Sequence, residues 1–193
     1  MCDYLQIVQI FIEGIGAFFT LGAVYVGWLA LNTWKKEKKS NLADEIINTT
    51  IQLKELIEWS RNPAHFDEGK SRPLSNNENE RNKLKDSYYV CQERLQNKID
   101  LIKKINLLKI KSSLHFSKLK IAEELERLLE VVIYIKNSSD WLIRDIENNL
   151  KDNKARIEHE NKIYSSLQEG EDEIQKIIDE ATTKITNILK VYL

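Results

Sequence analysis

The feature of this sequence that most constrains its fold is an uncharged run of 18 residues, Gly14–Leu31. Such a run predicts a transmembrane helix, because about 20 apolar residues in a helix span the hydrocarbon core of a bilayer. It lies within the apolar stretch Leu5–Leu31, whose one charged residue is Glu13. A cleavable signal peptide is disfavoured, because no Lys or Arg precedes the run and Trp34-Lys35-Lys36 follows it where a cleavage site would be. We therefore predict a retained anchor over residues 1–34.

Basic residues predict the orientation of this anchor in the membrane. A lysine cluster follows the predicted span and consists of Lys35, Lys36, Lys38 and Lys39. The positive-inside rule then places residues 35–193 in the cytoplasm and the N-terminus outside. The same lysines can attract anionic lipid headgroups. The alternative is that they act only as the topology determinant.

Small and polar residues occupy one face of the predicted span. We call this face the seam; it comprises Gln6, Gln9, Glu13, Gly16, Thr20, Ala23, Gly27 and Ala30. Its alternating spacings of three and four keep a helix face turned toward a partner, and small residues let membrane helices approach closely. We therefore predict a homo-oligomer, with chance segregation in a lone anchor as the alternative. A carboxylate is costly in lipid, so Glu13 either lines a polar vestibule in an oligomer or lies in headgroup water.

The remaining residues predict an all-α domain. Six Gly and two Pro among 193 residues, with 31% charged residues, are typical of long helices. Apolar residues recur at helical spacing over 35–61, from about 77 to 111, from about 117 to 150 and over 171–193, with a loop at 62–76. A turn is expected at Ser112-Ser113, and residues 151–170 are expected to be exposed. These stripes favour an N-terminal transmembrane helix that continues into a cytoplasmic antiparallel helical bundle over 35–193.

Several short motifs occur in a recurring order. They are Trp34-Lys35 at the end of the span, Leu42-Ala43, Arg61-Asn62-Pro63, Glu68-Gly69, Tyr88-Tyr89 and Arg94-Leu95. In this order of parts the chain resembles a widespread group of uncharacterised bacterial single-pass membrane proteins with a helical cytoplasmic domain. The resemblance implies a bacterial inner-membrane setting and assigns no functional residue.

Catalytic and ligand-binding motifs are sparse. The net charge of −1 argues against nucleic-acid binding. His65, His115 and His159 are far apart, and no phosphate-binding loop or Cys-x-x-Cys motif occurs. Cys91 lies on an apolar stripe and is expected in the core. We expect no cofactor, no metal and no enzymatic activity.

One loop concentrates ligand-capable side chains, namely Arg61, His65, Asp67 and Glu68. Such a set could hold a ligand or a partner, or it could simply be solvated. Two functions are therefore left open for the whole chain. The first is a self-associating, membrane-acting effector of the stress or phage-defence type. The second is a membrane-anchored scaffold whose bundle docks an unknown cytoplasmic protein partner.

Overall fold

The computed structural model describes residues 2–65, 68–74, 80–148, 152–165 and 172–193. Within its first helix, exposure is described for Gly16 and for the residues from 18 onward. The described residues form six α-helices and no strand, so the predicted all-α class is confirmed. The helices are α1 Cys2–Ser60, α2 Lys83–Asn97, α3 Ile99–His115, α4 Ile121–Asn148, α5 Asn153–Ile163 and α6 Glu173–Leu189.

The chain divides into two compact units. The first comprises Met1–Ala43 with Tyr192–Leu193, and the second comprises Asp44–Val191. Within the first unit, α1 is helical from Cys2, and nothing in its sequence interrupts the backbone ladder. Across the helices that the structure describes, none combines the length and apolarity needed to cross a membrane. The transmembrane anchor stays a prediction.

The second unit is a helical bundle around α4. This helix packs against α2, α3, α5 and α6. Its predicted apolar stripe is buried, with Ile121, Leu125, Leu128 and Ile135 at 0% exposure and Val132 at 8%. On α1, Ile46, Leu53 and Ile57 are likewise buried at the predicted spacing, as are Ile174, Ile178, Ala181 and Ile185 on α6. The helical bundle is therefore confirmed, and its stability derives mainly from these amphipathic faces.

Three predicted boundaries are wrong. The second helix begins at Lys83, because the Asn82 side chain caps it by accepting from the backbone N–H groups of Leu84 and Lys85. It does not run to residue 111 but breaks at Lys98, whose φ of −118° and ψ of 27° leave the helical region. The turn expected at Ser112-Ser113 is instead helix, because both residues lie within α3, which ends at His115. Their hydroxyls donate to carbonyls three residues earlier.

Residues 151–170 contain a helix that the sequence analysis missed. Asp152 caps α5 by accepting from the N–H of Ala155 at 3.0 Å, and Ile163 at its end is buried. The rest of α5 is half-buried or exposed, which explains why no apolar stripe indicated it. Similarly, Asp172 caps α6 by accepting from the N–H of Gln175 at 3.0 Å.

Candidate functional site

The most elaborate polar structure in the bundle surrounds the C-terminal end of α1. The last four carbonyls of any α-helix lack partners within the helix, and that end carries a partial negative charge. Here a cation from α2 binds one of these carbonyls and two in the loop that follows. The Arg94 guanidinium donates from Nη1 to the carbonyls of Trp59 and Asn62, both at 2.7 Å, and from Nη2 to that of Pro63 at 3.2 Å.

Arg94 also binds a carboxylate. Its Nε donates to Oε1 of Glu68 at 3.1 Å, and its Nη2 donates to Oε2 of the same side chain. All five guanidinium N–H groups are thereby used, while the carbon of the guanidinium lies 5.0 Å from the centroid of the Trp59 ring. Arg94 is 2% exposed. Its role is therefore to fix the loop that follows α1 against α2.

The environment of Glu68 follows from this pairing. Hydrogen bonding to Arg94 lowers the pKa of the Glu68 carboxyl below its usual value, and burial opposes this only in part. Oε2 of Glu68 also accepts from the backbone N–H of His65 at 2.8 Å. The predicted pair of His65 and Glu68 is thus brought together, although the contact uses the His65 backbone.

A second arginine–carboxylate pair links the loop that follows α1 to the start of α2. Nε of Arg72 lies 2.8 Å from Oδ1 of Asp86, and Nη1 of Arg81 lies 3.3 Å from the same oxygen. Gly69 has a φ of +79°, and a Cβ there would lie 2.1 Å from the Asp86 carbonyl oxygen. Only glycine fits this close approach. Its N–H donates to Glu93 at 2.7 Å.

These pairs frame an open cleft of about 490 Å³. Its lining consists of Ala64, His65, Glu68, Lys70, Arg81, Lys83, Asp86 and Ser87. Arg94 neutralises Glu68, and Arg72 neutralises Asp86, so both carboxylates are engaged from within the fold. A cleft of this volume is large enough for a small molecule.

Arg61 does not line this cleft. It is fully buried and faces the α5–α6 connection, where Nε donates to the Lys162 carbonyl and Nη2 to the Asn161 carbonyl, both at 3.1 Å. Its Nη1 lies 2.8 Å from Oδ2 of Asp172, the residue that caps α6. Arg61 therefore ties the end of α1 to the start of α6. Of the predicted loop set, Asp67 lies outside the described residues.

A third polar network joins α2, α4 and α5 in the core. The Ser139 hydroxyl donates to the Tyr88 carbonyl at 2.7 Å and accepts from Gln92 Nε2 at 2.7 Å. The Tyr88 hydroxyl donates to Glu160, and burial raises the pKa of Tyr88 to about 12. Burial also raises the pKa of the Cys91 thiol to about 11, as expected for the predicted core cysteine. This network is structural, because its donors and acceptors satisfy one another.

His159 lies on the surface side of the same region. Its ring stacks on Trp141 with centroids 4.4 Å apart, and its Nδ1 lies 3.1 Å from the Ser138 hydroxyl oxygen. Burial lowers the pKa of His159. Within the described part of the chain, no group of three or more His, Cys, Asp or Glu side chains could hold a metal ion.

The seam and the lysine cluster lie on α1. The described seam residues Gly16, Thr20, Ala23, Gly27 and Ala30 are all exposed. A Cβ at Gly16 or Gly27 would meet no atom within 4 Å. The side chains of Gln6, Gln9 and Glu13 lie outside the described residues.

The lysine cluster is exposed as well, at Lys35, Lys36, Lys38 and Lys39. The Lys38 ammonium lies 5.2 Å from the centroid of the Trp34 ring. This is a cation–π distance, so the aromatic ring at the end of the predicted span and the basic cluster form one local group.

Sequence reasoning missed the roles of Arg94, Arg72 and Asp86. A weak indication existed for Arg94, which follows Cys91 by three residues and so falls beside the buried stripe of α2. No family model, no curated protein and no solved structure matches this chain.

Proposed function

We propose that this chain is a non-enzymatic, single-pass membrane protein that self-associates through α1. The observation that carries the proposal is the exposure of large apolar side chains on α1. They are Phe18, Phe19, Leu21, Val24, Tyr25, Val26, Trp28, Leu29, Leu31 and Trp34. Phe18 is 81% exposed and Phe19 is 77% exposed. Monomeric soluble proteins rarely expose a contiguous apolar surface of this kind.

The distribution of these side chains supports a lipid environment. Between residues 18 and 34 they are interrupted by small residues and by the polar residues Thr20, Asn32 and Thr33, with no charged residue among them. A helix that is apolar on most sides is typical of membrane spans. Residues 44–60 of the same helix alternate instead between buried and exposed positions. The lipid-facing segment proposed here therefore precedes residue 35.

Two hydroxyls in the segment form hydrogen bonds within the helix. The Thr20 hydroxyl donates to the Gly16 carbonyl at 2.9 Å, and the Thr33 hydroxyl donates to the Leu29 carbonyl at 3.0 Å. Such bonds within the helix remove the cost of an unpaired hydroxyl in hydrocarbon. The open space over Gly16 and Gly27 leaves room for the backbone of a second copy.

The proposed location is a bacterial inner membrane. Lys35 to Lys39 mark the cytoplasmic side by the positive-inside rule, and Trp28 and Trp34 suit the interface on that side. The helical bundle then lies in the cytoplasm. The proposed partners are the bilayer and further copies of the chain.

Within this function, the activity that we favour is that of a membrane-acting effector of the stress or phage-defence type. Self-association along the seam would bring copies of Gln6, Gln9 and Glu13 together, and clustered polar residues in a span are a route for ions and water. The second candidate is a scaffold that docks a cytoplasmic protein. It is favoured by the open cleft that includes His65 and Glu68.

Seam substitutions test self-association. Gly16→Leu and Gly27→Leu should convert the oligomer to monomer in mild detergent, because the added side chain separates the helix backbones. Gly22→Leu is the matched control, since Gly22 is equally open but lies off the seam. Sedimentation equilibrium of the full-length chain provides the measurement. Loss of the oligomer in all three variants, or in none, would count against the seam.

A voltage-sensitive dye separates the two activities. During induced expression, the effector should depolarise the inner membrane, and Gly16→Leu should abolish the depolarisation while Gly22→Leu leaves it intact. A scaffold should leave the dye signal unchanged at matched protein levels. An unchanged signal would therefore overturn the effector activity, although membrane anchorage would stand.

A further inference from the structure

The outer face of α3 is a second unusual surface. We define it by three exposed apolar residues, Leu107, Ile110 and Leu114, and two lysines, Lys103 and Lys111. Leu107 is 51%, Ile110 53% and Leu114 75% exposed. Their spacing of three and four residues places them on one side of the helix. Lys103 and Lys111 each lie one helical turn from Leu107.

Positive charge dominates in α3 and the residues next to it. Residues 98–120 contain seven lysines and a single carboxylate, Asp100, in a chain whose net charge is −1. Asp100 lies 3.3 Å from the Lys103 ammonium. Lys104 and Lys109 are engaged by Glu45 and Glu126 of neighbouring helices. With the residues that the structure describes, Lys111 and Lys118 form no ion pair.

We propose that the outer face of α3 docks on an anionic lipid bilayer. An amphipathic helix with Leu and Ile on one face and flanking lysines is the pattern of helices that lie in the membrane interface. The exposed leucines would enter the boundary between headgroups and acyl chains. Lys103 and Lys111 on this face, and Lys118 in the turn Ser117–Leu119 that follows α3, would contact lipid phosphates.

The edge of this face that lies next to α4 indicates which part of the face would contact the bilayer. Toward α4, Ile110 and Ser113 line a groove of about 450 Å³ that is also lined by Lys109, Arg127 and three carboxylates, those of Glu123, Glu126 and Glu130. With three carboxylates and two cations among its lining residues the groove is net negative, which disfavours anionic headgroups, so the contact is assigned to the edge that carries Leu107 and Lys111.

A second copy of the chain fits this face less well. Pairing two α3 outer faces would bring the lysines of one copy against those of the other, and like charges at close range are unfavourable. A bilayer with negative headgroups complements them. The proposed α1 anchor is needed only to hold this surface at high local concentration beside the membrane.

The test uses the full-length chain in nanodiscs, with an environment-sensitive nitrobenzoxadiazole label at Leu114→Cys. Cys2→Ser removes one native thiol, and Cys91 is buried. We expect blue-shifted, brightened emission in discs containing phosphatidylglycerol, and none in pure phosphatidylcholine. The control label at Asn187→Cys, an exposed position on α6, should respond in neither.

Replacing Lys103, Lys111 and Lys118 by Ser should weaken docking by roughly a hundredfold, about fivefold for each lysine.

Three outcomes would overturn the proposal. The first is emission that is the same in both kinds of disc, and the second is docking unaffected by the three serines. The third is a response that depends on the number of chains per disc, which would indicate contact between copies. If the chain fails to enter nanodiscs, the proposed anchor fails instead. Flotation with phosphatidylglycerol vesicles then decides this proposal, since lysine-dependent flotation supports it and its absence overturns it.

Discussion

At the scale of single residues, buried arginines organise this bundle. Arg94 uses five donors to satisfy Trp59, Asn62, Pro63 and Glu68, and Arg61 joins the same end of α1 to Asp172. A buried ion pair is costly to form but far more costly to break on one side, because the remaining charge is left unpaired. The arginines therefore define where the loop lies.

Replacing Arg94 by Lys tests this role. Lysine keeps the charge but has three donors on a point-like ammonium, so at least two of the five bonds are lost. We expect the free energy of unfolding to fall by about 2–4 kcal/mol, measured by urea denaturation of the full-length chain in detergent. The control is Arg127→Lys, whose side chain is 34% exposed and pairs with Glu124 and Glu180. It should cost less than about 1 kcal/mol. Equal losses in the two variants would contradict the role of Arg94.

The same pairing predicts an acid sensitivity. The folded-state pKa of Glu68 is lowered by Arg94, and that of Asp179 by its hydrogen bond to Lys54. The unfolded chain therefore binds more protons, so these groups stabilise the fold above their usual pKa values of 4.5 and 3.8. That contribution is lost as the pH falls through the lowered values. The free energy of unfolding should thus decline with falling pH below about pH 5, and less steeply in Glu68→Gln. An identical slope in the two proteins would exclude Glu68 as a source.

At the scale of helices, apolar periodicity predicted the faces that are buried by packing. It did not predict where the backbone leaves the helical conformation. The stripes on α4 and α6 were predictable because Ile121 to Ile135 and Ile174 to Ile185 repeat at helical spacing. The break at Lys98 was not, because no glycine or proline accompanies it and the apolar phase continues from Leu95 to Ile105. Helix α5 was missed because only Ile163 among its residues is buried.

The central position of α4 makes a quantitative prediction. Ile135→Ala should lower the free energy of unfolding by about 2–5 kcal/mol, because Ile135 is fully buried where α4 meets its neighbours. Ile133→Ala on the same helix is the control, since Ile133 is 53% exposed, and its cost should stay within about 0.5 kcal/mol. Chemical denaturation of both variants measures the difference. A similar cost for the two would mean that α4 does not organise the core.

At the scale of the whole molecule, the sequence predicted the all-α bundle but only two of the eight residues that line the candidate cleft. His65 and Glu68 were recognisable as ligand-capable loop residues, and they do line the cleft. Arg72, Asp86 and Arg94 were not predicted, because burial of a charged residue depends on contacts between helices far apart in the sequence. Arg61 was assigned to the same loop by proximity in sequence, yet its guanidinium turns toward Asp172.

Both proposals for the whole molecule depend on contact with a bilayer. For α1 the contact would be insertion, driven by about 10 exposed apolar side chains, each of which gains on the order of 1.5–3 kcal/mol when it leaves water. For α3 it would be surface docking, which salt weakens because the lysines supply much of it. The two contacts are thus separable by ionic strength.

Extraction of membranes with alkaline carbonate tests the central claim most directly. The full-length chain, expressed in a bacterium, should remain in the membrane pellet after the wash and enter solution only with detergent, because an inserted helix is held by hydrophobic burial and not by charge. Release of the chain into the carbonate supernatant as a soluble protein would contradict the account.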